Sequence, residues 1–190
     1  MLVTTTPYAV DRKLCRAYNQ VMERLRSDDW ACFIDHDAMW TTYDWYPQIE
    51  EYIVKYPDAG LFVAMSSRNG IPAQVPGAVH SKQKLRRYGR NVYTIPGNSH
   101  DMRFHRTLGE DIQTEFRTDV IDYTDEITTG VVMVTSKETW ELAGGFNESR
   151  PNLGGCDSDY HYAMAKIGKR VYIMKGVYVY HWYREDGHEH

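Results

Sequence analysis

Short runs of consecutive apolar residues alternate along the chain with stretches in which apolar positions recur every three or four residues. The short runs are typical of buried strands, and the periodic stretches are typical of helices that pack by one face. Runs of the first kind occupy residues 2–6, 30–34, 60–66, 129–135 and 170–181. Strands that alternate with helices predict an α/β fold with a largely parallel sheet.

Four helices are expected between these strands. The first follows Asp11, a good N-cap residue, and its apolar stripe includes Leu14 and Tyr18. The remaining three are predicted at about 47–56, 136–142 and 157–167, each bounded by proline, glycine or a capping residue.

Residues 71–125 are the least patterned part of the chain. They contain several prolines and glycines, a basic patch that extends over residues 82–106, and a mostly acidic stretch over 110–126. Long unpatterned insertions in a compact domain are either functional or solvated excursions. Since 190 residues suffice for one domain with a sizeable core, we predict a single domain, 1–190, with an irregular insertion at 71–125.

The overall composition argues against several classes of protein and partner. The formal net charge of -4 gives no indication of nucleic acid binding. No apolar run reaches membrane-spanning length and residues 1–7 lack the features of a signal peptide, so no integral membrane segment is expected. The three cysteines are scattered and form no CxxC pair, which argues against a disulfide framework and a structural zinc site. Together these features predict a soluble cytoplasmic protein.

The first candidate for chemistry is Asp35-His36-Asp37, which follows the apolar run 30–34 directly. Two carboxylates at the end of a buried strand need a cation or hydrogen-bond donors nearby. A divalent ion at this position would bridge two phosphates of a diphosphate leaving group. The alternative is that Asp37 only caps the turn that follows, since an Asp-x-Asp pattern alone is common by chance.

Two further candidates lie in the last third of the chain. Asp157 follows Gly154-Gly155-Cys156 at the start of a predicted helix, where the helix dipole favours a carboxylate; it is either a base or an N-cap. His181 ends the last predicted strand and is either structural or a metal ligand. Imidazole together with carboxylate and phosphate oxygens suits Mn²⁺, with Mg²⁺ as the alternative.

These blocks, in this order, resemble the GT-A fold glycosyltransferases, most of all family 2 and its small bacterial or phage members. The resemblance implies a Rossmann-like mixed, mostly parallel sheet flanked by helices. Residues 35–37 are similar to the DxD motif, in which the second Asp binds the metal and the first contacts the donor. The resemblance therefore implies Asp37 as a metal ligand, Asp35 as a donor contact and His181 as the residue that completes the metal site.

The later glycine-rich segments resemble the acceptor side of the same family. Residues 144–146 are similar to its GGF motif, and residues 154–159 to its GGEDxD motif, whose first Asp is the general base of inverting members. Asp157 is thereby implied as the base. Cys156 stands where the family usually has Glu. The acceptor-side residues implied are Gly144, Gly145, Gly155 and Asp159.

The N-terminal half is shorter than the resemblance would lead us to expect. One helix separates the first strand from the DxD strand, whereas the family usually has two further strands there, with an acidic position that helps to read the nucleotide base. The nucleotide-binding half is therefore expected to be reduced. Candidate donor contacts are Thr5 and Pro7 after the first strand, Arg16 and Asn19 in the segment that resembles the family's first helix, and Arg68.

The predicted function is metal-dependent transfer of a sugar from a nucleoside-diphosphate sugar, UDP- or GDP-linked, to a hydroxyl of a saccharide or glycoconjugate, with inversion. A retaining transferase of the same fold is the nearest alternative. A non-catalytic carbohydrate-binding module is another, because the 15 Tyr and 5 Trp offer rings that stack on sugars as well as serve in cores. A metal-dependent phosphohydrolase is the third.

Overall fold

The computed structural model describes residues 1–84, 91–150 and 155–182. The strands in these ranges are β1 (Leu2–Thr5), β2 (Trp30–Ile34), β3 (Ala38–Trp40), β4 (Ala59–Ser66), β5 (Arg68–Asn69), β6 (Val79–Lys84), β7 (Asn91–Thr94), β8 (Val120–Asp122), β9 (Val132–Ser136) and β10 (Arg170–His181). The helices are α1 (Leu14–Glu23), α2 (Trp45–Lys55), α3 (Met102–Phe116), α4 (Lys137–Ala143) and α5 (Cys156–Lys166), with a 3-10 turn at Pro72–Gln74.

The chain divides into two compact units, and strands β4 and β10 contribute residues to both. Unit 1 comprises Met1–His36, Tyr56–Val63 and Ile121–Ile173. Unit 2 comprises Asp37–Lys55, Ala64–Val120 and Met174–His190.

The sheet of unit 1 has the strand order β1-β2-β9-β4-β10. Strand β1 runs parallel to β2, with Thr5 opposite Phe33. Strand β9 runs antiparallel to both of its neighbours, so the sheet is mixed. The apolar run of β2 is explained by burial, since Ala31, Cys32 and Phe33 are all 0% exposed.

Helices α1, α4 and α5 belong to unit 1. Helix α1 packs on β2 through Tyr18, whose ring centroid lies 4.6 Å from that of Phe33 and 5.0 Å from that of Phe146. Helix α4 begins at Ser136, whose hydroxyl accepts a hydrogen bond from the Thr139 N–H, as the sequence predicted.

A disulfide joins the first turn of α1 to the first turn of α5. Cys15 and Cys156 are both buried, and their Cα atoms lie 5.7 Å apart. The expectation that the cysteines form no disulfide is therefore wrong. The two residues are separated by 141 positions, so only the folding of unit 1 brings them together. Cys32 is a buried free thiol, and burial raises its pKa to about 12.

Unit 2 holds two small groups of strands. In the first, the order is β4-β10-β3, and β3 runs antiparallel to β10 with Ala38 opposite His181 and Trp40 opposite Val179. The second is a three-stranded antiparallel sheet with the order β5-β7-β6. Strands β3 and β5, with three and two residues, are too short for a hydrophobic pattern to reveal.

Residues 71–125 are more regular than their sequence indicates, because they contain β6, β7, β8 and the 15-residue helix α3. Asp101 caps α3 by accepting a hydrogen bond from the main chain of its first turn. The buried positions of α3 are His105, Gly109 and Ile112. These positions follow a helical spacing, but only Ile112 has an apolar side chain, so the helix carries no apolar periodicity in the sequence. Residues 85–90 of the basic patch lie outside the described residues.

Helix α2 is fixed in unit 2 by polar side chains on its buried face. The Gln48 side-chain amide donates to the Gly176 carbonyl at 2.9 Å, and the Tyr52 hydroxyl accepts from the Gly176 N–H at 2.9 Å. Across the part of the chain that the structure describes, no helix has the length and apolar character needed to cross a membrane.

Candidate functional site

Asp35, Asp37 and His181 form a group of potential metal ligands. One ligand atom from each of them lies within 4.8 Å of the others. The main chain sets these positions: the Asp35 N–H donates to the Val131 carbonyl at 2.9 Å, and the Asp37 carbonyl accepts from the Trp182 N–H at 3.0 Å. Two carboxylates and an imidazole are a donor set that suits Mn²⁺, and also Zn²⁺ or Fe²⁺. We call these residues the Asp-Asp-His group.

The two ring nitrogens of His181 have different partners. Nδ1 lies 2.9 Å from the Arg68 carbonyl oxygen, which can only accept, so Nδ1 carries a hydrogen. Nε2 lies 3.4 Å from Oδ1 of Asp37. In the neutral ring Nε2 therefore directs its lone pair toward the carboxylate side, which is the tautomer that a metal-binding histidine needs.

The main chain of His181 is held as firmly as its ring. Its N–H donates to the Ser67 hydroxyl at 2.9 Å, and that hydroxyl lies 3.2 Å from the His181 carbonyl oxygen. Arg68, which follows Ser67 in the chain, was predicted to contact the donor. It is 4% exposed, and its guanidinium donates to the Trp182 carbonyl at 3.3 Å. Its role toward a donor stays a prediction, while its main chain positions the histidine.

Asp157, the predicted base, lies in the first turn of α5 and is held by main-chain donors. Its Oδ2 accepts from the Gly130 N–H at 2.9 Å and its Oδ1 from the Ser158 N–H at 2.9 Å. A Cβ atom at Gly130 would come 2.9 Å from the Asp157 Cβ, so this approach requires glycine. A carboxylate has about four acceptor sites, so two donors still leave it able to accept a proton.

Tyr18 is a residue near these carboxylates that the sequence analysis did not single out. Burial, and then the charges of Asp35 and Asp157, raise the pKa of its phenol well above the usual range. The phenol is therefore neutral at physiological pH and is a hydrogen-bond donor in the field of both carboxylates. A tyrosine in an apolar helix stripe looks like an ordinary core residue, so the sequence carried no signal for it.

Asn19, a predicted donor contact, makes three hydrogen bonds to the loop after α4 and one to Trp140 of α4 itself. Its Oδ1 accepts from the Phe146 N–H and the Trp140 indole N–H, each at 2.9 Å. Its Nδ2 donates to the Phe146 carbonyl at 3.0 Å and to Glu148 at 2.8 Å. Arg16, on the preceding turn of α1, lies 3.5 Å from the same glutamate. Both residues hold residues 146–148, and their predicted contact with a donor stays a prediction.

Asp159, a predicted acceptor-side residue, is paired within its own region. Arg150 binds both of its carboxylate oxygens, and the Asn147 side chain donates to Oδ2 at 2.9 Å. The hydrogen-bonded Arg150 lowers the pKa of Asp159. The carboxylate thus attaches residues 147–150 to helix α5.

The predicted acceptor-side glycines have left-handed backbone conformations that favour glycine. Their φ angles are 77° at Gly144, 81° at Gly145 and 83° at Gly155. Gly154 lies outside the described residues. Cys156, at the position of the family's glutamate, is 1% exposed and bonded to Cys15, so it offers no polar group to an acceptor.

Thr5 and Pro7, the remaining predicted donor contacts, lie at the end of β1 and two residues beyond it. Because β1 and β2 are parallel and Thr5 is opposite Phe33, the end of β1 lies at the same sheet edge as the end of β2, where Asp35 follows. Their contact with a donor stays a prediction.

No protein-family model matches the chain, and no curated protein matches it. Among solved structures, the chain is similar to the crystal structure of GalNAc-T7 with UDP, GalNAc and Mn²⁺, with a TM-score of 0.59 and 14% sequence identity. The match covers 93% of this chain and 31% of that chain, so this chain spans about a third of the length of its neighbour.

At this level of identity the likeness establishes the fold alone. The predicted class, a mixed α/β fold of the GT-A type with a sheet flanked by helices, is confirmed. The likeness to family 2 and to bacterial or phage members stays a prediction.

Proposed function

We propose that this protein is a metal-dependent glycosyltransferase that moves a sugar from a nucleoside-diphosphate sugar to an acceptor hydroxyl. The observation that carries the proposal is the Asp-Asp-His group, whose ligand atoms lie within 4.8 Å of one another. The fold supports it, since a transferase of similar fold has been solved with UDP, GalNAc and Mn²⁺.

Asp37 and His181 are the proposed ligands of Mn²⁺, with Mg²⁺ as the alternative, and Asp35 is the proposed donor contact beside them. The Nδ1–H bond from His181 to the Arg68 carbonyl supports this role, because it fixes the ring tautomer. Once bound, the ion supplies positive charge that stabilises the departing diphosphate. Further proposed donor contacts are Thr5, Pro7, Arg16, Asn19 and Arg68.

Asp157 is the proposed general base of an inverting reaction. Its carboxylate takes the proton of the acceptor hydroxyl, whose oxygen forms a bond to the anomeric carbon. The bond from that carbon to the diphosphate oxygen breaks, and its electron pair leaves with the nucleoside diphosphate. The main-chain donors on Asp157 support the role, because they hold the carboxylate in one orientation. Acceptor contacts are proposed for Gly144, Gly145, Gly155 and Asp159.

The test combines a binding measurement with a product measurement. Thermal shifts recorded with UDP- and GDP-sugars, each with and without Mn²⁺, will identify a donor by a shift that needs both. Transfer to saccharide acceptors is then followed by NMR, which also reports the anomeric configuration of the product. We expect Asp157→Asn to bind the donor normally and to lose at least about 100-fold in transfer rate.

The matched control is Asp125→Asn, which changes an exposed carboxylate of the same unit. Full transfer by Asp157→Asn would remove the base assignment, and a product of retained configuration would favour the retaining alternative. Absence of any metal-dependent shift with nucleotide sugars would contradict the proposed function itself.

A further inference from the structure

A cavity of about 190 Å³ lies in unit 2, at the end of β3. It is formed by β3, the loop that leads to α2, and one face of α3, and is lined by Trp40, Thr41, Thr42, Tyr43, Trp45 and Arg106. At about 30 Å³ for each water in the liquid, the volume corresponds to roughly six waters. That is the scale of a single sugar ring.

Three of the six lining residues are aromatic, and their rings are arranged in a regular way. Trp40 and Trp45 stack with centroids 4.0 Å apart and planes 3° from parallel. Tyr43 is 83% exposed, whereas Tyr18, Tyr52 and Tyr178 are each at most 3% exposed. An exposed tyrosine beside a stacked indole pair presents apolar ring surface directly to solvent.

Two of the other three lining residues, Arg106 and Thr42, carry hydrogen-bond donors. The Arg106 guanidinium carbon lies 5.8 Å from the centroid of the Tyr43 ring, and Thr42 is a half-buried hydroxyl residue. Apolar rings with a few convergent polar groups are the composition of a small-molecule site. A pyranose ring matches both kinds of lining group. Its C–H face packs on aromatic rings, and its hydroxyls bond to guanidinium and hydroxyl groups.

The walls of the cavity are fixed by close packing in unit 2. The Thr41 hydroxyl donates to the Tyr178 carbonyl at 2.6 Å. A Cβ atom at Gly109, one turn after Arg106, would overlap the Thr41 side chain, so helix α3 lies directly against this residue. The base of the cavity at Thr41 is therefore fixed by the packing of α3 and β10, while Tyr43 and Arg106 extend from it as exposed side chains.

The cavity and two of the metal-ligand candidates, Asp37 and His181, lie along the same pair of strands, β3 and β10. Strand β3 begins directly after Asp37, and its first residue, Ala38, is opposite His181. Trp40 is two residues further, opposite Val179, which is about 7 Å along the strand. A sugar ring on the indole pair would therefore lie within one or two sugar units of the metal ligands.

We propose that this cavity binds a pyranose ring of the acceptor, as a saccharide subsite of the transferase; this role rests on the proposed function. Tyr43 and the Trp40–Trp45 pair pack against the ring, and Arg106 bonds to its hydroxyls or to a carboxylate of an acidic sugar. A nucleobase also stacks on aromatic rings. The Arg106 guanidinium and the Thr42 hydroxyl, two polar groups beside the apolar rings, favour the sugar.

The test measures saccharide binding directly, in EDTA and without nucleotide. Maltotriose, cellotriose, triacetylchitotriose and trigalacturonic acid are titrated into the protein, and dissociation constants are read from tryptophan fluorescence and saturation-transfer NMR. We expect at least one trisaccharide to bind with saturation, Tyr43→Ala to weaken it at least 10-fold, and Arg106→Ala at least 3-fold. Both substitutions change exposed side chains, so the variants are expected to fold.

Tyr162→Ala is the matched control, because Tyr162 is an exposed tyrosine of unit 1. The proposal is overturned if no trisaccharide binds, if Tyr43→Ala binds as well as the unmodified protein, or if UMP binds here with the same dependence on Tyr43. Metal-dependent donor binding is measured separately, with Asp37→Asn as its negative control. If the unmodified protein shows no metal-dependent donor binding while saccharide binding is intact, the proposed function is contradicted and the saccharide site remains.

Discussion

The Asp-Asp-His group and the glycine-rich segments around Asp157 are built in different ways. Asp35 directly follows β2, Asp37 directly precedes β3 and His181 ends β10. The His181 N–H donates to the Ser67 hydroxyl, and its ring bonds to the Arg68 carbonyl. Its environment is thus made by the sheet itself. Removing one ligand from such a group is expected to change what the protein binds more than how it folds.

The glycine-rich segments, residues 144–150 and 155–159, depend on side chains from distant parts of the chain. Asn19 makes three hydrogen bonds to the loop after α4 and one to Trp140 of α4, and Arg150 pairs with Asp159. The Cys15–Cys156 disulfide attaches the start of α5 to α1. Substitutions here are expected to lower the stability of unit 1, and through it the precision with which Asp157 is placed.

The largest effect is expected from His181→Gln. Loss of the imidazole removes a proposed ligand, so the affinity for Mn²⁺ in the presence of UDP should fall at least about 100-fold. The free energy of unfolding in EDTA should fall by no more than about 3 kcal/mol, because the buried Arg68 carbonyl loses its imidazole donor. Titration calorimetry and urea unfolding measure the two quantities.

His80→Gln, which changes an exposed histidine of the same unit, is the control and should leave both quantities unchanged. If His181→Gln binds Mn²⁺ normally but unfolds far more easily, the histidine is structural. The Asp-Asp-His group would then resemble the glycine-rich segments, in that its residues serve stability rather than binding.

The next effect concerns the disulfide. Closing a loop of this length typically contributes about 2–5 kcal/mol, so the double variant Cys15→Ala/Cys156→Ala should melt roughly 5–15 °C lower. Its affinity for Mn²⁺ and nucleotide should stay within about twofold, since neither cysteine belongs to the Asp-Asp-His group. Differential scanning calorimetry and titration calorimetry test the two parts.

Dithiothreitol is the matched control for the disulfide. It should lower the melting temperature of the unmodified protein toward that of the double variant, and leave the variant unchanged. Equal melting temperatures without reductant would mean that the bond does not stabilise unit 1.

The difference between the regions also explains what the sequence could reveal. The carboxylates follow β2 directly in the sequence, and His181 ends the long strand β10. At both places the sequence shows a run of mostly apolar residues followed by a polar residue. The approach of His181 to Asp37 could be inferred only through a family resemblance, because pairing between strands leaves no local pattern.

Contacts that depend on distant side chains left no such pattern. Nothing local marks Cys15 as the partner of Cys156, or Asn19 as the residue that binds the loop after α4. Helix α3 was missed for a related reason, since His105 and Gly109 occupy its buried face and are not apolar. The aromatic cavity was missed because Trp40, at the end of a three-residue strand, meets Trp45 only after the loop has folded.

The smallest effect is expected at the Arg150–Asp159 pair. Arg150 lowers the pKa of Asp159, and a carboxylate with a lowered pKa stabilises the fold above its unfolded value of about 3.9. This contribution is lost as the pH falls through the lower, folded value. Because the Arg150 side chain is 45% exposed, solvent screens the pair, and Arg150→Gln should lower the free energy of unfolding at pH 7 only slightly.

Urea unfolding at pH 7 and at successively lower pH measures how this small difference changes with protonation. The deficit of Arg150→Gln should disappear once the pH is below both the folded and the unfolded pKa of Asp159. Arg24→Gln, at the exposed residue that follows α1, should show no deficit at any pH. A deficit that persists in acid would mean that Arg150 acts by packing rather than by charge. The Arg150 guanidinium does pack closely on Gly155, since a Cβ atom placed at Gly155 would lie 3.3 Å from the guanidinium carbon. In that case the charge of Arg150 would contribute nothing measurable to the stability of the glycine-rich segments. The uncharged Asn147 amide would still bond to the same carboxylate.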